Sequence, residues 1–126
     1  MTALLLIAHG SRNAEANADL LHLAEQLRAD YPVVVASYLE LAPPGIEDGA
    51  RLCVTLGGSR VVMVPYFLSA GVHVRRDLTE ARDRLAEEFP HVDFRLAEPL
   101  GRHPLLVEVV RQRAEAAVLL PSPPER

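Results

Sequence analysis

The sequence predicts an α/β domain, a flavodoxin-like parallel four-stranded sheet in the order 2-1-3-4 with helices on both faces. Short apolar runs alternate with amphipathic stretches along the whole chain, the mark of successive β–α units. The first run, Ala3–Ala8, is apolar throughout, as a strand covered on both faces is. Right-handed crossovers then join parallel neighbours. In this order strands 1 and 3 are adjacent, and the winding reverses between them.

Each element has its own cause. Leu20, Leu23, Ala24, Leu27 and Tyr31 step by three and four between about Asn13 and Asp30, one face of a helix that Pro32 stops. Val33–Leu39 is the second strand. Pro43-Pro44-Gly45 breaks the chain; Ile46, Ala50, Cys53, Val54 and Gly57 then repeat at helical spacing until Gly57-Gly58 closes the helix. Val61–Phe67 is the third strand, with Pro65 near its carboxyl end. Leu68–Arg76 reads as a glycine-bearing loop, after which Asp77 and Glu80 form a capping box. Leu78, Ala81, Leu85 and Phe89 are the buried stripe of the helix so capped, and Pro90 ends it. Val92–Leu96 is a short fourth strand. Pro104 opens a last helix with Leu106, Val109, Val110 and Ala117 facing inward. Residues 1–120 thus read as one domain and the Pro-rich 121–126 as a mobile tail.

Composition narrows the function. A chain of 126 residues, 49% hydrophobic and 24% charged, suits one compact domain. No apolar run reaches the ~20 residues of a membrane span. A formal charge of -4 argues against nucleic acid as a partner. No basic stretch precedes the first apolar run, so it does not read as a signal peptide; a soluble cytoplasmic domain is expected. All 13 basic residues are Arg, which excludes Schiff-base and P-loop lysine chemistry. The one Cys, Cys53, excludes an internal disulfide or a multi-cysteine metal site. On the apolar face of the second helix it reads as a small buried hydrophobe.

The residues suited to chemistry collect at strand ends. His9 directly follows the first apolar run, Glu40 the second, and His73 lies in the loop beyond the third. All three fall at the carboxyl edge, where open α/β sheets bind ligands. Neighbouring strands are ~4.8 Å apart, so His9 and His73 converge across the switch point. Two neutral imidazoles and a carboxylate suit a divalent transition metal, and they also accept protons from a bound ligand. The alternatives are a pair of hydrogen-bonded loop histidines and a solvated Glu40. His22 and His91 read as surface residues, and His103 as the residue that starts the last helix. The turn His9-Gly10-Ser11-Arg12 is similar to a phosphate-handling turn, in which glycine lets backbone amides approach an anion. Arg12, Arg75 and Arg76 flank the histidines, where guanidinium matches carboxylate or phosphate; surface ion pairing is the alternative for each.

Ile7–Arg12 (IAHGSR) and Val64–Asp77 (VPYFLSAGVHVRRD) together resemble the sirohydrochlorin chelatase family. Tyr38-Leu39-Glu40 followed by Pro43 and Pro44, and Pro99–Pro104 (PLGRHP), are also similar to family segments. The similarity runs to about Arg113. It implies insertion of cobalt or iron into the tetrapyrrole sirohydrochlorin, in cobalamin or siroheme biosynthesis, with the metal as substrate and no organic cofactor. His9 and His73 match the family's metal-handling and catalytic histidines, and Glu40 matches an active-site glutamate more loosely. Arg12, Arg75 and Arg76, with Ser11 in the first turn, are then candidates to hold the acetate and propionate arms. Leu68, Ala70 and Val72 would form an apolar rim. The chain matches one half of the double-length members and so resembles the short ones, which dimerise to complete a cleft. Two other functions fit less well. A metal or tetrapyrrole carrier would use the same histidines. A histidine-phosphatase-like hydrolase would need Arg before its histidine, where this chain has Ala8.

Overall fold

The computed structural model describes residues 1–124. Along the chain run β1 (Thr2–Ala8), α1 (Ala14–Leu27), β2 (Val33–Tyr38), α2 (Ile46–Thr55), β3 (Arg60–Pro65), α3 (Val72–Glu88), β4 (Asp93–Leu96) and α4 (Pro104–Val118). The strands form one parallel sheet in the order β2-β1-β3-β4, the order the sequence predicts.

β1 is central and its side chains alternate between the two faces. Ala3, Leu5 and Ile7 enter a core with Val35, Met63 and Phe67 beneath Ala50 and Cys53 of α2 and Leu78, Ala81 and Leu85 of α3. Leu4 and Leu6 enter a second core with Val34, Ala36 and, from α1, Leu20 and Ala24. One face thus carries α2 and α3 and the other carries α1. Burying each of these large aliphatic side chains contributes about 1.5–3 kcal/mol. α1 starts where the Asn13 side chain accepts a hydrogen bond from the Glu15 N–H at 2.9 Å, an N-cap. α2 is followed by Gly57 at φ +109°, a left-handed conformation that favours glycine.

Two sequence expectations are corrected. The segment Leu68–Arg76 is not all loop, because α3 begins at Val72, a turn before the expected start, and Asp77 and Glu80 lie inside it. The apolar stripe extends back to Val74, one turn before Leu78, and Val74 packs on the α2/α3 core. Gly71 takes the N-cap position in an extended conformation, and the Thr79 hydroxyl donates to the Arg75 carbonyl within the helix at 2.9 Å. His73, Arg75 and Arg76 are therefore helical residues.

The second correction concerns α4. It starts at Pro104 as expected, with His103 Nδ1 accepting from the Leu105 N–H at 3.2 Å. Its residues do not face inward, however, for none of them is buried. Leu106 is half-buried, Ala117 is exposed, and Val109 and Val110 are 48% and 67% exposed. The cause is the connection from β4. The Leu100 N–H donates to the Phe67 carbonyl at 3.0 Å, Arg102 turns the chain at φ +63°, and α4 leaves the body from that anchored point.

Residues 121–124 of the Pro-rich tail carry no helix or strand; residues 125–126 lie outside the described ones. Among the described residues, no helix is long and apolar enough to cross a membrane.

Candidate active site

The carboxyl edge of the sheet is drawn together by backbone bonds. Leu39 N–H donates to the Ala8 carbonyl at 2.9 Å and Glu40 N–H to the His9 carbonyl at 3.1 Å, while Tyr66 N–H donates to the Ile7 carbonyl at 2.6 Å. These bonds continue the pairing of β1 with both neighbours past the strand ends. They fix His9 between the Glu40 segment on one side and the Tyr66–Phe67 segment on the other. Gly10 follows at φ +94°, its backbone pressed against the Glu40 carbonyl.

The His9 ring lies 4.6 Å from that of Phe67, centroid to centroid, at 31°. Phe67 belongs to the α2/α3 core, so one face of an exposed imidazole rests on a rigid apolar shelf. His73 is exposed in the first turn of α3, beyond the end of β3. His9 follows β1 and His73 lies on the helix that follows β3, so both stand on the carboxyl side of neighbouring strands. Glu40 is exposed next to His9. Among the described residues, no three or more His, Cys, Asp or Glu side chains gather where they would hold one metal ion. His9, His73 and Glu40 do not close a cage within one chain.

Ser11 is absorbed into the start of α1. Its N–H donates to Asn17 Oδ1 at 3.0 Å, its carbonyl accepts from Asn17 Nδ2 at 2.7 Å, and its Oγ accepts from the Asn13 N–H at 3.0 Å. The backbone and hydroxyl bonds shape the turn after His9. Arg12 and Arg76 are exposed. Arg75 is engaged, its Nε donating to the Ala70 carbonyl at 3.1 Å and its Nη1 pairing with Glu98 at 3.3 Å. It ties the start of α3 to the segment after β4. Of the expected apolar rim, Leu68 and Val72 are 64% and 72% exposed, whereas Ala70 packs on the core.

Sequence reasoning missed several residues at this edge. A pocket of about 220 Å³ opens beside His9, with Asn17, Asp19, Tyr38 and Tyr66 in its lining. The Tyr38 hydroxyl donates to the Asn17 carbonyl at 3.2 Å, and burial pushes its pKa up. An available signal was that Tyr38 and the Tyr66–Phe67 pair stand at the ends of the second and third apolar runs.

The CbiX family model matches residues 3–117. The chain belongs to the CbiX family of sirohydrochlorin chelatases. Among CbiX relatives, the chloroplastic sirohydrochlorin ferrochelatase of Arabidopsis thaliana is 36% identical over 114 residues, covering 89% of this chain and 51% of the relative. The sirohydrochlorin cobaltochelatase of Sulfolobus acidocaldarius is 31% identical over 118 residues, with 94% of both chains covered. SirB from Bacillus subtilis, solved with Fe3+, superposes with a TM-score of 0.82 at 31% identity, over 95% of this chain and 48% of that one. The chain therefore spans about half the length of the Arabidopsis and Bacillus relatives, and nearly all of the Sulfolobus one.

Proposed function

We propose that this chain inserts a divalent cobalt or iron ion into sirohydrochlorin, with His9 and His73 handling the metal and taking up the pyrrole protons. The observation that carries the reading is the pair of exposed imidazoles at the carboxyl edge of adjacent strands, where the winding of the sheet reverses. The relatives' names supply the substrate class.

Insertion removes two N–H protons from the macrocycle and strips water from the metal. Imidazole serves both steps, as a base near neutral pH and as a ligand for first-row ions. Two imidazoles without a closed cage leave coordination positions open, so the metal passes on to the macrocycle nitrogens. Glu40 adds negative charge beside His9. Arg12 and Arg76 are assigned to the carboxylate arms of the substrate, with Ser11 holding the turn that carries Arg12. Arg75 joins them by exchanging Glu98 for a substrate carboxylate. No organic cofactor is required, because the reaction moves protons and a cation and no electrons. The working unit is a homodimer, whose second copy covers the solvent side of a macrocycle lying on this open edge.

Absorbance of sirohydrochlorin with excess Co2+ and substoichiometric protein tests the reading. Conversion of many equivalents per chain is expected. A halt near one equivalent would make the protein a carrier and overturn the proposal.

A further inference from the structure

The segment between β2 and α2 crosses the sheet edge. Leu39 packs on the α2/α3 core and Ala42 on the α1 core, so Glu40 and Leu41 stand between the two faces, past the carboxyl end of β2. Backbone bonds fix the crossing. Tyr38 N–H donates to the Pro44 carbonyl at 3.0 Å, and Glu40 N–H to the His9 carbonyl at 3.1 Å. At the crest Leu41 has φ +67°, a left-handed backbone in which Cβ crowds the following carbonyl oxygen. Glycine and asparagine occupy such positions readily, whereas leucine is strained there. A turn that needed only its shape would carry one of them. Neither core offsets the strain, because the Leu41 side chain belongs to neither and is 52% exposed.

Strain that the fold itself does not use is the mark of a functional contact, and the placement of Leu41 identifies which one. In the order β2-β1-β3, Leu41 follows β2 and His9 follows β1, while Tyr66, Leu68 and Val72 lie past the end of β3. All four apolar residues are exposed. His9 thus stands on the middle segment, with exposed apolar side chains on the segments to either side. The outer two strands are ~10 Å apart, twice the ~4.8 Å spacing, so a ligand that touches both sides is broad. A flat macrocycle fits that span and a single aromatic ring does not. We infer that Leu41 is a contact residue for the substrate's ring, packing on the macrocycle from the β2 side while the ring lies over His9. This deepens, and rests on, the sirohydrochlorin reading above.

The chemistry of the side chain narrows its role. Leu41 offers no donor, acceptor or charge, so it neither ligates the metal nor holds a carboxylate arm. It can exclude water from a ring face, and covering the exposed half of a leucine changes a dissociation constant about tenfold. Its position is registered against the histidine. The Gly10 backbone presses on the Glu40 carbonyl, and Glu40 is bonded to His9, so the crest that carries Leu41 is held to the His9 turn. A ring resting on Leu41 is thereby placed relative to the imidazole.

Titration of the metal-free protein with sirohydrochlorin, followed by absorbance, tests the contact in Leu41→Asn and Leu41→Met. Asparagine tolerates the left-handed backbone and removes the apolar surface; methionine keeps that surface. Leu41→Asn is expected to unfold in urea at or above the parent's midpoint and to bind the tetrapyrrole about tenfold more weakly. In metallation by Co2+ its loss falls on KM for sirohydrochlorin rather than on kcat. Leu41→Met is expected to recover most of the affinity. A Leu41→Asn protein that binds as tightly as the parent overturns the inference, and so does one that unfolds well below it, which would make Leu41 structural. A Leu41→Met protein as weak as Leu41→Asn overturns the apolar contact. A Leu41→Asn mass below the parent's by light scattering would assign the side chain to an interface between copies, again overturning it. The underlying reading fails separately. A parent that binds sirohydrochlorin but halts near one equivalent sinks catalysis and leaves the ring contact standing on its Kd; a parent that binds none sinks both.

Discussion

Gly10 holds the His9 turn in a conformation that other residues resist. At φ +94° an L side chain is strained, and a Cβ there would overlap the Glu40 carbonyl oxygen. Gly10→Ala is expected to lower stability by about 1–3 kcal/mol and to slow metal insertion, because the turn must shift away from Glu40. Urea unfolding and the rate check this together; a midpoint and a rate both equal to the parent's would contradict it. Cys53 illustrates the opposite kind of residue, packed and inert. Burial pushes its thiol up to about 11, so the native protein is expected to resist thiol reagents at pH 8 until it is unfolded. The neutral thiol's contribution to stability is complete below the unfolded pKa of ~8.5 and is lost as pH rises through the folded value. Prompt labelling of native protein at pH 8 would refute that placement.

At the scale of elements, α2 and α3 are clasped by Arg51, which bonds Glu88 at 2.8 Å and Asp48 at 3.0 Å, while Arg84 reaches back to Glu47. The Arg51 guanidinium holds the Glu88 carboxyl below its usual value. A depressed carboxylate contributes stability above its unfolded pKa of ~4.3, and that contribution is lost as pH falls through the folded value. Arg51→Ala is therefore expected to melt slightly below the parent at pH 7, with the gap closing near pH 3; exposed pairs contribute little. A gap that persists at pH 3 would show that Arg51 acts through packing instead. The same two helices show what sequence reveals. β1 and α1 were legible because an unbroken apolar run and a three-four stripe each have one structural solution. The start of α3 was not, because Asp77 and Glu80 imitate a capping box while the deciding contact, Val74 on the core, is tertiary. The contact between His9 and Phe67 was invisible for the same reason. The lack of any core beneath α4 was also hidden, since a helix stripe of apolar residues does not by itself record whether anything packs against it.

At the scale of the whole molecule, the strand order does most to define the site. The 2-1-3-4 order brings β1 and β3 side by side, so the segments after these strands, which carry His9 and His73, start from one edge of the sheet. That much followed from counting β–α units. A metal environment did not, because among the described residues no three or more potential ligand side chains gather in one place. The central claim is that both imidazoles work on one metal insertion, and the direct measurement is the initial rate of sirohydrochlorin metallation by Co2+ for His9→Ala and His73→Ala beside the parent. Both side chains are exposed, so the variants are expected to keep the parent's far-UV dichroism while each loses on the order of 10²–10⁴-fold in rate. Either variant metallating at the parent's rate would contradict the claim.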